Sequence, residues 1–155
     1  MRTAVVAVIA LSAALSCAAD DNPFSDPFEQ ATDGYAGCEV PVLPKLSDAD
    51  LRREAHQRHE RGTSCWLAGQ CEAGGPYKHD AEINAGIVKA LKGDKRFART
   101  SLWVETVRGY VTVHGCVRSK AQQRAIEQFI KPMPRVLIVW DQTHLGKHAP
   151  PKVKQ

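Results

Sequence analysis

The chain has 155 residues, 43% of them hydrophobic and 25% charged, with a formal net charge of +4. That length holds one ordinary domain with extensions and excludes two large ones, and the composition excludes wholesale disorder. Only 6% of residues are aromatic, and 11 Gly with 9 Pro point to long irregular stretches. Five Cys is an odd count that needs a reason.

The first 19 residues supply part of that reason. Met1-Arg2-Thr3 is a short positive start, and residues 4–15 are an uncharged run of Ala, Val, Ile, Leu and one Ser. Such a run is too short to span a bilayer comfortably. Ser16, Cys17, Ala18 and Ala19 follow, then Asp20-Asp21. A positive start, an apolar middle and a small-residue exit read as a secretory signal peptide over residues 1–19. Two processing routes stay open. A small-x-small cut releases a soluble protein into the periplasm. Alternatively Ala14-Leu15-Ser16-Cys17 serves as a lipoprotein box, residues 1–16 leave, and Cys17 becomes a lipidated N-terminus anchored to a bacterial membrane. On both routes Cys38, Cys65, Cys71 and Cys116 remain as thiols. Four Cys in an oxidising compartment imply up to two disulfides, with three possible connectivities.

Charge is unevenly distributed: residues 20–50 carry net −7, residues 51–62 net +2 and residues 63–155 net +8. Residues 20–46 hold Pro23, Pro27, Pro41 and Pro44 with Gly34 and Gly37, and no sustained period. They read as an acidic, extended and partly disordered spacer. In the next region, 47–79, Ser47 can cap a short helix over 47–61, with Asp50 three residues on and Leu51, Glu54, Ala55 and Arg58 at helical spacing. Gly62 is expected to end it, leaving a Cys- and Gly-rich loop with Gly69, Gly74, Gly75 and Pro76. His56, His59, Cys65 and Cys71 are the residue types of a tetrahedral zinc site, but Cys-x5-Cys is wider than the usual ligand gap. Export also favours oxidation of the thiols, so no metal and no cofactor is expected.

The second half has a readable order. Asp80 can cap a helix in which Ile83, Ile87, Ala90 and Leu91 recur at helical spacing, closed by Gly93-Asp94. Residues 102–107 are β-branched and aromatic enough for a strand, and Arg108-Gly109 is a turn. Residues 110–117 alternate Val111, Val113, Gly115 and Val117 with Tyr110, Thr112, His114 and Cys116. Ser119 and Gln122 open a second helix with Ala125, Ile126, Phe129 and Ile130 on one face, stopped by Pro132 and Pro134. Residues 135–141 contain the apolar run 136–140, a third strand.

This α-β-β-α-β order, with Asp80-x-x-Ile83, Leu91, Gly109-x-Val111-Thr112-Val113-x-Gly115-x-Val117, Ser119 and Val136-x-x-Val139, resembles the BON domain. The family is named for bacterial osmotically inducible periplasmic proteins and nodulation-associated proteins. The resemblance covers residues 80–146, leaving 147–155 as a basic tail. It implies an α+β sandwich, a three-stranded sheet with two helices on one face, carrying an N-terminal extension. Arg135 stands where a Gly usually precedes the last strand, and Asp141 where Asn is common. One copy is visible.

What the resemblance implies is binding to phospholipid membrane, or a scaffold role in an envelope assembly, without catalysis. The charge agrees: Lys89, Lys92, Lys95, Arg96 and Arg99 cluster just before Trp103, and anionic headgroups attract such cations. An indole beside them suits the headgroup level. The leading expectation is therefore an exported envelope protein that contacts anionic phospholipid headgroups and supports envelope integrity or osmotic-stress tolerance. The alternative is a protein-interaction adaptor whose basic face docks an acidic envelope protein. A sheet with both helices on one side leaves the other open, and Cys116 projects there, so a disulfide to Cys38, Cys65 or Cys71 is expected to tie the extension across it. No nucleophile motif or phosphate loop is present, so the protein is read as no enzyme, and export argues against nucleic acid as a partner.

Overall fold

The computed structural model describes residues 22–148. The expected signal peptide, the lipidation candidate Cys17 and tail residues 149–155 lie outside the described residues. In chain order the elements are β1 (Phe28–Asp33), α1 (Asp48–Leu67), α2 (Asp80–Gly93), a 3-10 turn (Lys95–Phe97), β2 (Ser101–Val107), β3 (Tyr110–Val117), α3 (Lys120–Ile130) and β4 (Ile138–Leu145). The mixed α and β expectation holds, but the sheet has four strands in the order β1-β2-β3-β4. The extra strand comes from the stretch read as spacer. Its six residues, Phe-Glu-Gln-Ala-Thr-Asp, carry no clean alternation because the pairing with β2 shifts between Gln30 and Thr32. The bulge there turns Ala31 into the core at 3% exposure.

β1 and β2 are antiparallel, β2 and β3 form an antiparallel hairpin, and β4 runs parallel to β3. A parallel return needs a crossover, and α3 supplies it. α2 packs on β1 and β2, and α3 on β3 and β4. The core between helices and sheet gathers Ile83, Ile87 and Leu91 of α2, Ile126 and Ile130 of α3, and Leu102, Val104, Val111, Val113 and Val117 of the strands. The alternation of β3 is seen in full, with Val111, Val113 and Val117 fully buried against the helices.

Two glycines of the hairpin are fixed by space as well as by backbone. Gly115 has φ +118°, and a Cβ there would lie 2.0 Å from the Ser101 carbonyl oxygen. Gly109 has φ +73°, and its Cβ would meet the Arg135 carbonyl at 2.8 Å. Asp80 does something the helix pattern does not disclose. The cap position of α2 falls on His79, which makes no side-chain capping bond. Asp80, 3% exposed, instead accepts from the backbone N–H groups of Arg108 (2.7 Å) and Gly109 (2.8 Å). One carboxylate thereby joins the first helix to the hairpin turn. Burial raises its pKa, and the two N–H donors act against that rise.

Three boundaries differ from the sequence reading. α1 runs through Gly62 to Leu67, where the stop is the Ala68-Gly69 pair, Gly69 taking φ +67°. Its start is as expected, with Ser47 Oγ accepting from Asp50 N at 3.2 Å. β4 begins at Ile138 rather than at Arg135 and extends to Leu145. The cause sits just upstream: Arg135 holds φ +62°, a left-handed backbone that breaks an extended run. That conformation is also why glycine suits this place. In β4 itself, Thr143 N donates to Asp141 Oδ1 at 2.8 Å, and Thr143 O accepts from Gln123 Nε2 at 2.7 Å.

Candidate functional site

Lys89 and Lys92 sit one turn apart on α2, Lys95 and Arg96 lie in the 3-10 turn, and Arg99 follows it; all five are exposed. The turn is closed by Asp94, whose carboxylate caps Arg96 N at 2.9 Å. The same carboxylate grips the Arg96 side chain, Nη2 to Oδ2 at 2.7 Å, and that bond holds the Asp94 pKa below its ordinary value. Arg96 also lies over the Phe97 and Phe129 rings, at 5.5 and 5.0 Å. Its charge is therefore largely committed within the protein. No described residue forms an ion pair with Lys89, Lys92, Lys95 or Arg99.

α3 completes this end of the domain. Arg118 Nε donates to the Arg99 carbonyl at 3.1 Å, and Gln122 Nε2 donates to the Arg96 carbonyl at 3.1 Å. Arg118 is exposed, with its guanidinium 4.4 Å from the Tyr35 ring centroid. It adds a cation that chain order alone conceals, because Arg118 lies nineteen positions from Arg99 and only the β2–β3 hairpin register, Ser101 opposite Cys116, folds them together.

Trp103 does not join the cluster. It is 5% exposed and projects from the side of the sheet opposite α2 and α3, paired with His114. The extension covers this side near the start of β2. Gly34 N donates to Thr100 O at 2.8 Å, Tyr35 N to Ser101 Oγ at 3.0 Å, and Cys38 is joined to Cys116. The indole is a core residue, and the basic end has no aromatic anchor from β2.

The four Cys of the described residues pair as Cys38–Cys116, 78 positions apart, and Cys65–Cys71, 6 apart. The expected tie across the open face is present, with Cys38 as the partner. Joined sulfurs also remove Cys65 and Cys71 as thiolate ligands for zinc, and no cluster of metal-ligating side chains occurs among the described residues. Beyond Cys38, residues 39–44 pass over the sheet with Glu39 N on the Lys147 carbonyl and Glu39 Oε1 on His148 Nδ1, at 3.3 and 2.7 Å. Under this strap lies a cavity of about 460 Å³, floored by Glu105, Thr112, His114, Gln142 and His144.

α1 is docked by charge and rings. Arg58 Nη1 meets Asp26 Oδ1 at 2.8 Å, and the guanidinium lies over Phe24 at 4.1 Å and Tyr77 at 4.9 Å. Glu54 bridges Arg58 and Arg61, and Arg61 Nε donates to the Tyr77 hydroxyl at 3.0 Å. Desolvation acts to lower the Arg58 pKa, but Asp26, Tyr77 and Glu54 together outweigh it and the pKa is raised.

The described residues thus form a four-stranded α+β sandwich with a cationic end and a tethered extension. The BON domain family model matches residues 79–147, so the chain carries a BON domain. A search of the curated proteins finds no match to the chain. No helix of the described residues is long and apolar enough to cross a membrane.

Proposed function

We propose that this chain is a non-catalytic, exported protein of the bacterial cell envelope whose BON domain binds anionic phospholipid. The observation that carries this reading is the end of α2 and the turn after it, where Lys89, Lys92, Lys95 and Arg99 stand exposed with no acidic partner among the described residues. Arg96 contributes less because Asp94 already holds it, and Trp103 contributes by packing rather than by insertion. Each surface cation near an anionic leaflet is worth about 1 kcal/mol and is screened by salt. Export, whether as a soluble periplasmic protein or anchored at Cys17, would bring the domain to such a leaflet.

The test is co-sedimentation of the chain with phosphatidylglycerol vesicles, against phosphatidylcholine vesicles. Reversing Lys92, Lys95 and Arg99 to Glu should weaken retention by about a hundredfold or more, with a matching loss in high salt. Equal retention on neutral and anionic vesicles would end this reading. A second reading, an adaptor for an envelope protein, is favoured by Ile138, Trp140 and Leu145 of β4, which are 43%, 49% and 48% exposed. Such a role predicts no vesicle binding and retention of an acidic envelope partner that depends on the basic end.

A further inference from the structure

The β2–β3 turn holds an anomaly. Val107 pairs with Tyr110, so Arg108-Gly109 is a two-residue hairpin loop, and both residues have positive φ, +59° and +73°. Asn-Gly fits such a turn best; an Arg at the first position accepts backbone strain. Its side chain is not employed to relieve that strain. Among the described residues the Arg108 guanidinium makes no hydrogen bond and no ion pair. Nε is buried without an acceptor, and the one close partner is the Tyr110 ring, 5.2 Å away.

The same side chain lines a cavity of about 270 Å³ between α1 and the face of the sheet opposite α2 and α3, with Tyr77, Tyr110, Thr112 and Trp140 among its walls. Of the other charged groups of the lining, Glu54 pairs with Arg61 and Arg58, and Glu105 lies 3.2 Å from His114 Nε2, an ion pair only while that imidazole carries a proton. Arg108 thus has no ion-pair partner among the described residues and is set among aromatic walls, one of which is the half-exposed Trp140. Guanidinium on one side and a flat ring on another is an arrangement that receives an oxyanion attached to a body with an apolar flank.

We propose that this cavity is an oxyanion-binding site in which Arg108 pairs with the phosphate of a small phosphate ester, its body resting against Trp140. The volume admits a ligand the size of glycerol phosphate. The site is separate from the basic end. The turn is bonded to Asp80 at the start of α2, and the first of the cations, Lys89, lies nine residues along that helix, about 14 Å away, with Lys92 about 18 Å away. A membrane held at the basic end therefore leaves the cavity open to a soluble ligand, although a lipid headgroup carries the same phosphate chemistry.

The full chain would be titrated with glycerol 3-phosphate and inorganic phosphate at constant ionic strength, following the Trp140 indole N–H resonance. Saturable binding is expected. Arg108→Asn, which places the favoured residue in the turn, should weaken it about tenfold or more while leaving the thermal midpoint unchanged or raised. Arg108→Lys should restore part of it. In the vesicle arm, phosphatidylglycerol retention that falls in Arg108→Asn, with no response to either soluble probe, would also support the site and identify a lipid headgroup as its source. Arg108→Asn indistinguishable from the parent in both arms overturns the inference. That outcome leaves the basic-end reading standing, since Lys92, Lys95 and Arg99 decide it independently.

Discussion

α1 and α2 are both regular helices, yet they are held by different forces. α2 buries Ile83, Ile87 and Leu91 with Asp80 and Asn84; α1, six residues longer, buries none of its side chains. α2 belongs to the core and shares its cooperativity. α1 is fastened at points, through the Arg58–Asp26 pair, the rings of Phe24 and Tyr77, and the disulfides on either side. A helix without an apolar stripe takes its stability from its caps and from what it is tied to. The extension should therefore behave as a separately opening unit, attached to a domain that folds as one.

The largest effect should come from the longer tether. Cys116→Ser removes the closure of a 78-position loop, worth about 4–5 kcal/mol by chain entropy, read by chemical denaturation. Next come two substitutions that separate the two regions. Leu102→Ala, at 0% exposure, should cost about 3 kcal/mol and lower hydrogen-exchange protection everywhere at once. Arg58→Ala should instead expose the amides of α1 while changing global unfolding by about 1 kcal/mol or less, because its partners lie outside the core. Equal loss of protection in α1 and α2 after Arg58→Ala would erase the distinction.

The smallest effect is one of pH. Burial raises the pKa of Asp80 above 3.8, so the folded state favours its protonated form. Its stabilising contribution is full below the ordinary Asp value and declines as pH rises through the raised one. The stability of the parent relative to Asp80→Asn should accordingly shrink as pH rises from below the ordinary Asp value, measured by denaturant titration at each pH.

The hairpin was legible because its constraints are local. Gly109 and Gly115 stand where only a missing Cβ fits, and the alternation between them is the period of a half-covered strand. β1 was hidden because a bulge destroys alternation, and a strand paired with residues some seventy positions away has no local signature. α1 overran Gly62 because glycine weakens a helix without ending it, whereas left-handed Gly69 does end it. Of the basic end, the five cations were visible as a run, but their inequality was not. Asp94 takes Arg96 out of play through a turn whose geometry the run does not encode. Trp103 was misplaced for a related reason: its neighbours in sequence are cationic, and its neighbours in space belong to the extension. The turn Arg108 was passed over, although Arg-Gly in place of Asn-Gly was itself the available signal.

Thr143 has a consequence for life at high concentration. β4 is an outer strand, and outer strands invite a second chain to add itself and grow fibres. Here the Asp141 carboxylate and the Gln123 amide already occupy the N–H and C=O of Thr143. An incoming strand would find that residue's donor and acceptor taken and a carboxylate beside them. Aspartate in this position thus acts as a gatekeeper, withdrawing one donor and acceptor pair of an apolar edge from strand addition.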